Sequence, residues 1–284
     1  MKIDPDKFKP SWTGHKIKAL IVMAHLAFIG YCFSAEFNWL FVLIGGPLLW
    51  FFISKMGMEV GFHRLFCHKS FSTTQWKARM LLILGTISSV GSSLTWVATH
   101  RVHHKHADHL GDPQNSRRDN SWWKNWLTLW DDNWKSEPLI IKDLMRDKWH
   151  RYIHKHYFKL VLGYISTLGV ISLAVSSWYP IVVLWAFPVI LNFNLAGFLN
   201  SLFHNNINGW GFYRNYTSDD DSRNHAVLNL LMAGAGMHNN HHGAPASYTY
   251  NTNNKWYEID PTAKFVKKFL ATEITLPDGS KEKV

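Results

Sequence analysis

The stretch that decides the fold is ALIVMAHLAFIGYCFSAEFNWLFVLIGGPLLWFFIS, residues 19–54, in which Glu36 is the only charged side chain. As a single helix these residues would extend about 54 Å at 1.5 Å per residue. The hydrocarbon core of a bilayer is only about 30 Å thick, so the stretch must turn back on itself as two spans. A second stretch without Lys, Arg, Asp or Glu covers residues 160–213 and reads the same way. The spans are placed near 19–35, 38–54, 160–177 and 181–200, with Gly45-Gly46-Pro47 expected to kink the second.

The charge map supports this reading. All 30 Lys and Arg residues fall into three blocks: five between Lys2 and Lys18, seventeen between Lys55 and Lys159, and eight between Arg214 and Lys283. The short connectors, Glu36-Phe37 and Trp178-Tyr179-Pro180, carry none. By the positive-inside rule both termini and the middle block lie in the cytosol. Buried helices of a soluble protein would not segregate charge so completely. The mean hydropathy of −0.13 is then an average over two unlike halves, and the 15 tryptophans suit a lipid interface. The net charge of +10 belongs to one face, and no motif points to nucleic acid. The Lys- and Pro-rich start reads as no cleavable leader. The two cysteines, Cys32 and Cys67, suggest neither a disulfide nor a metal site.

The expected architecture is therefore an all-α integral membrane protein, a single domain over 1–284. Four transmembrane helices form two hairpins, and a cytosolic cap comprises 55–159 and 201–260. Residues 78–98 read as one helix packed against the membrane part, and 139–160 as a charged helix leading into the third span. Residues 122–135 carry a Trp-rich stripe that suits a helix lying at headgroup level or, alternatively, an amphipathic helix packed on the protein core. The tail from 261 onward is polar and reads as peripheral.

Nine of the 17 histidines fall into four groups near the ends of apolar segments. These are His63-Arg-Leu-Phe-Cys-His68, His100-Arg-Val-His103-His104, His204, and His238-Asn-Asn-His241-His242. The HxxHH spacing of i, i+3, i+4 puts three imidazoles on one helical face. Five residues turn an α-helix by about 140°, so His63 and His68 can converge only if the helix ends or distorts between them. Nine imidazoles exceed what one ion takes and suit two; imidazole by itself accepts Zn, Cu, Fe or Ni. No HExxH is present, which argues against a metalloprotease, and no Glu-x-x-His of a ferritin-like di-iron bundle.

These groups resemble the three histidine boxes of the membrane fatty acid desaturase superfamily, most closely its acyl-CoA Δ9 branch (stearoyl-CoA desaturases and their bacterial relatives). The flanks agree: Gly-Phe-His-Arg-Leu at 61–65, Asp112-Pro113 with Asn115-Ser116-Arg117-Arg118, and Asn200-Ser-Leu-Phe-His204. The resemblance covers most of residues 40–258. It implies two iron ions held by His63, His68, His100, His103, His104, His204, His238, His241 and His242, with Asn200 reaching a metal through a water. It also implies O2 as co-substrate, two external electrons, and an acyl-CoA or other lipid-linked acyl chain in a bent apolar tunnel, with a new double bond at the 9 position. Glu59, one turn before His63, and Asp112 are the candidates to accept the second N–H of a ligating ring. Lys55, four residues before Glu59, is placed to pair with it. In the family the position of Lys55 lies along the tunnel and is small and apolar, and the bulky tunnel-end position corresponds to Phe51. A lysine there shortens, blocks or redirects the tunnel unless it points away.

No HPGG haem motif and no ferredoxin-like cysteine set is present, so a separate ferredoxin- or cytochrome b5-like donor is expected to supply electrons. A histidine-box hydroxylase acting on a fatty acid, alkane or sphingolipid is the alternative. A non-catalytic membrane metal-binding or transport protein is a third reading, which would place ionisable residues within the spans themselves.

Overall fold

A computed structural model describes residues 12–115, 138–204 and 209–284. The Trp-rich stripe expected over 122–135 lies outside the described residues. Among the described residues, four helices are long and apolar enough to cross a membrane: Gly14–Cys32, Phe41–Cys67, Lys148–Ala174 and Tyr179–Leu202. The second runs on past Ser54 and the third begins before residue 160. Lack of charge marks where an apolar surround can lie, whereas helical hydrogen bonding continues into the cap.

The first, third and fourth long helices pack through Leu20 and Ala24, through Tyr157, Val161, Ile165 and Leu168, and through Trp185 and Val189 respectively, and the second joins them where Phe41 packs on Tyr31 and Phe187. Other apolar side chains on the same helices point outward, among them Leu26 at 61% exposure, Leu43 at 69% and Val170 at 65%. A soluble core would not leave such stripes in water; a hydrocarbon surround accepts them. At one end of the bundle the Glu36 carboxylate accepts from Ser177 Oγ at 3.0 Å and from the Trp178 backbone N–H at 2.8 Å. The two short connectors therefore meet there.

Much of the second long helix is wound with i→i+5 hydrogen bonds, over Phe41–Gly45 and Phe51–Cys67, with the α turn Gly46–Trp50 between. The chain passes Gly45-Gly46-Pro47 inside a continuous helix. The irregularity expected there takes the form of a wide turn before Pro47, a residue with no N–H to give to an α ladder.

The single helix expected over 78–98 is two, Gln75–Ile87 and Ser93–His106. The break carries Ser89 at φ 60° and Gly91 at φ 92°, and Ser92 caps the second helix by accepting from the Thr95 N–H. Gln75–Ile87 lies tightly on the second long helix: a Cβ at Gly57 would collide with the backbone of Leu84 and Gly85. The charged helix expected over 139–160 is also interrupted. A short turn Lys142–Met145 precedes Lys148–Ala174, which is capped by Asp147 accepting from the Trp149 N–H.

Among the described residues, two small sheets accompany the helices. Phe71–Thr73, Ala271–Thr275 and Lys281–Lys283 form an antiparallel sheet, and Phe212–Tyr213 pairs with Asn224–His225. The tail from 261 is consequently not peripheral. Val266, Leu270 and Ile274 are buried against Met56, Val60, Phe71 and Leu81. Val266 and Leu270 come from a helical turn and Ile274 from the strand that follows, and the lysines, Thr272 and Glu273 between them lower the average hydropathy that made the tail read as polar.

Candidate metal centre

The end of the bundle away from Glu36 gathers all nine box and span-end histidines. Five ring nitrogens, from His63, His68, His100, His104 and His241, lie within 4.8 Å of one another, and four, from His103, His204, His238 and His242, do the same. The wide helical turn explains the first box. With i→i+5 bonding, residue i+5 stands over residue i, and the His68 N–H donates to the His63 carbonyl at 3.0 Å. The two rings come to 4.6 Å between centroids.

Each HxxHH triad is divided between the clusters. His100 and His104 join the five while His103 joins the four; His238 and His242 join the four while His241 joins the five. Two helices thus exchange one ring each, and this ties the clusters into one centre. His104 and His242, from different clusters, stack at 4.5 Å.

The ring nitrogens are set for ions. His103 Nδ1 faces Asp112 Oδ1 at 2.9 Å, His204 Nδ1 faces Asp108 Oδ2 at 2.8 Å and His242 Nδ1 faces Asp220 Oδ2 at 3.2 Å. An ionised carboxylate only accepts, so each Nδ1 carries the proton and each Nε2 presents a lone pair. His103 Nε2 and His242 Nε2 are buried with no hydrogen-bond partner, as are His68 Nε2, His100 Nδ1 and His241 Nδ1. His241 Nε2 stands 3.0 Å from His63 Nε2 and 2.9 Å from His104 Nε2. One ring nitrogen cannot satisfy both neighbours. Two nitrogens at right angles around an ion with metal–nitrogen bonds of about 2.1 Å lie roughly 3 Å apart, so the donor set fits a metal.

Burial, and after it the neighbouring rings, push His68, His100, His104, His238, His241 and His242 below the ordinary imidazole range, so they are neutral at pH 7 and able to offer a lone pair. His204 goes the other way: burial lowers it, but Asp108, with Asp112 and Asp220 behind it, raises it overall.

Glu59 lies 3.4 Å from His63 Nδ1 and also accepts from Arg64 and from the Tyr250 hydroxyl. The expected Lys55–Glu59 ion pair is not formed. Lys55 Nζ donates instead to the Met232 carbonyl at 2.9 Å, and its side chain is buried. Phe51 packs against Phe52 and Phe265.

Beneath the rings lies a cavity whose lining includes Trp50, Lys55, Met58, Leu195, Leu199 and Asn200. His63, His100, His238 and His241 also line it, so rings of both clusters face this space.

Sequence reading missed several partners. Asp108 and Asp220 hold rings from loops, and Asp220 is 22 residues from His242, a distance that carries no helical signal. Tyr250 bonds His63 Nδ1 at 3.0 Å, with the Arg64 guanidinium 3.9 Å over its ring. Asn239 and Asn240, inside the third box, are fully buried. Asn239 Oδ1 accepts from the N–H groups of Asn215 and Tyr216, and Asn240 Nδ2 donates to the Tyr250 carbonyl and Glu258. The box helix His238–Gly243 is short, and these amides fix it. Two asparagines inside an otherwise helical motif were the one legible signal, since buried amides need partners. Arg101, inside the second box, donates to the carbonyls of Phe66, Cys67 and Ile140 and to both oxygens of Asp143. Of the remaining histidines, His150 bonds Ser93 and His154 bonds Ser92, away from both clusters.

The sequence profile of the fatty acid desaturase family matches residues 37–272. The chain is 31% identical over 251 residues to an sn-1 stearoyl-lipid 9-desaturase of Anabaena variabilis, covering 86% of this chain and 87% of that one. It is 32% identical over 282 residues to an sn-1 stearoyl-lipid 9-desaturase of Synechocystis sp., covering 95% and 82%. An acyl-CoA C20 Delta5-desaturase of Anemone leveillei is 29% identical over 231 residues, covering 78% and 70%.

Proposed function

Because the chain belongs to the fatty acid desaturase family, we propose that it introduces a double bond at the 9 position of a saturated acyl chain, using two iron ions, O2 and two external electrons. The observation that carries this reading is the pair of imidazole clusters, five and four rings, over a cavity lined by members of both. An unactivated methylene has no acidic proton and no leaving group, so acid–base and nucleophilic side chains cannot attack it. Bound iron with O2 supplies the oxidising power that side chains lack.

The residues described here do the placing. Trp50, Met58, Leu195 and Leu199 offer the chain an apolar surround, and Lys55 bounds the space on one side. An acyl chain lying in the cavity passes beneath rings of both clusters, so two adjacent carbons can face the ions with water excluded. Asn200 lines the same cavity, four residues before His204, and is the group to hold a water near the centre. Asp112, Asp108, Asp220 and Glu59 keep the ring lone pairs aimed inward.

The names of the cyanobacterial relatives favour an acyl chain esterified to a glycerolipid. Acyl-CoA, the carrier expected from the boxes, is the second reading, favoured by the name of the anemone relative. Segregated charge supports a cytosolic cap and cytosolic termini, with each pair of spans as a hairpin. The basic cap suits an acidic electron carrier.

The test is expression in a host without desaturases, with mass spectrometry of fatty acids after derivatisation of the double bond. Δ9 monoenes are expected. Hydroxylated acids without monoenes would replace the proposal by the hydroxylase reading. Labelled stearoyl-CoA and stearoyl-phospholipid, each given to the purified enzyme with reductant and donor, separate the two carriers.

A further inference from the structure

Carboxylates are divided unevenly between the two clusters. In the four-histidine cluster three rings give their Nδ1–H to a carboxylate: His204 to Asp108, His103 to Asp112 and His242 to Asp220, at 2.8, 2.9 and 3.2 Å. In the five-histidine cluster only His63 faces one, Glu59, at the longer distance of 3.4 Å. That carboxylate also accepts from Arg64 and from the Tyr250 hydroxyl. His68, His100, His104 and His241 have no carboxylate partner among the described residues. The buried ammonium of Lys55 lines the cavity beside Glu59 and adds positive charge on that side.

All nine rings are of one type, so the difference lies in the charge behind them. An imidazole that donates to a carboxylate is the more basic ligand, and nearby negative charge favours the higher charge on an ion. We propose that the two iron positions are unequal: the four-histidine position holds the ferric state more strongly, and the first electron delivered reduces the ion at the five-histidine position. That electron converts one Fe3+ to Fe2+ without breaking a bond, and a second completes the reduction. The inference rests on the desaturase reading given above.

The test uses the purified protein with two 57Fe per chain, reduced stepwise under argon with dithionite and followed by Mössbauer and EPR spectroscopy. Two resolved steps are expected, with a mixed-valence state between them. Asp112→Asn and Asp220→Asn should raise the lower potential and leave the upper one in place, whereas Glu59→Gln should raise only the upper. Asp220 is the safer of the two aspartates. Its carboxylate is 10% exposed against 0% for Asp112, so water can reach an amide there whose oxygen is kept for the Nδ1–H of His242. A single two-electron step, or an aspartate variant that moves the upper potential, overturns the inference while leaving the desaturase reading intact. A chain that binds fewer than two irons overturns both.

Discussion

Replacing Arg101 by lysine keeps the charge and removes the fork. The guanidinium reaches the Phe66 carbonyl at 2.8 Å, the Cys67 carbonyl at 3.2 Å, the Ile140 carbonyl at 2.7 Å, and both oxygens of Asp143 at 2.8 and 2.9 Å. Phe66 and Cys67 end the helix that carries His63, so this one side chain docks the second box onto the first. A lysine ammonium has three donors on one atom and cannot span these acceptors. Hydrogen bonds to charged groups contribute about 1.5–3 kcal/mol each. The Asp143 pair is partly exposed and is discounted; of the three carbonyl contacts a lysine ammonium keeps one at most, so two are lost, about 3 kcal/mol at the lower figure. At roughly 2–4 °C per kcal/mol, Tm should fall by roughly 6–12 °C. The five-histidine cluster draws His63 and His68 from the docked helix, whereas the four-histidine cluster draws none. Iron should therefore drop from two toward one per chain. The assays are thermal unfolding by tryptophan fluorescence in nanodiscs and iron analysis of the purified variant. Unchanged Tm with full iron content would refute the clamp, and equal loss from both clusters would refute its selectivity.

His103→Ala and His241→Ala, one from each cluster, should each abolish monoene formation in the expression host; turnover retained in both would remove the proposed centre. Lys55→Ala should open the cavity on its bounded side and shift the product profile toward longer acyl chains, read by gas chromatography, and an unchanged profile would show that Lys55 does not bound the chain. Acid should unfold the metal-stripped protein early. Six cluster rings have lowered pKa values, so the unfolded chain takes up protons that the folded one refuses. The contribution is complete above the unfolded imidazole value of about 6.5 and is lost as pH falls from there toward the folded values. Chelator-treated protein should thus lose Tm between pH 7 and 5, and a flat profile would contradict neutral rings.

Residue order along the chain carried two messages because both are local. Uncharged length reports what can sit in hydrocarbon, so four apolar helices were legible from residues 19–54 and 160–213 alone. Repeated histidines at i, i+3, i+4 report a ligand face, so six of the nine rings were legible from spacing, while His63, His68 and His204 were named through the family resemblance. Which ring goes with which could not be read. A triad on one helix face says nothing about how that helix crosses another, and the crossing sends His103 away from His100 and His104, and His241 away from His238 and His242. Asp108, Asp220 and Tyr250 were hidden for the same reason, since loops bring them to the rings from distant parts of the chain. The buried tail strand Ala271–Thr275 found its place only through pairing with Phe71–Thr73, some 200 residues earlier. Hydrophobic length and ligand spacing are properties of a segment; pairing and charge balance arise only when segments meet.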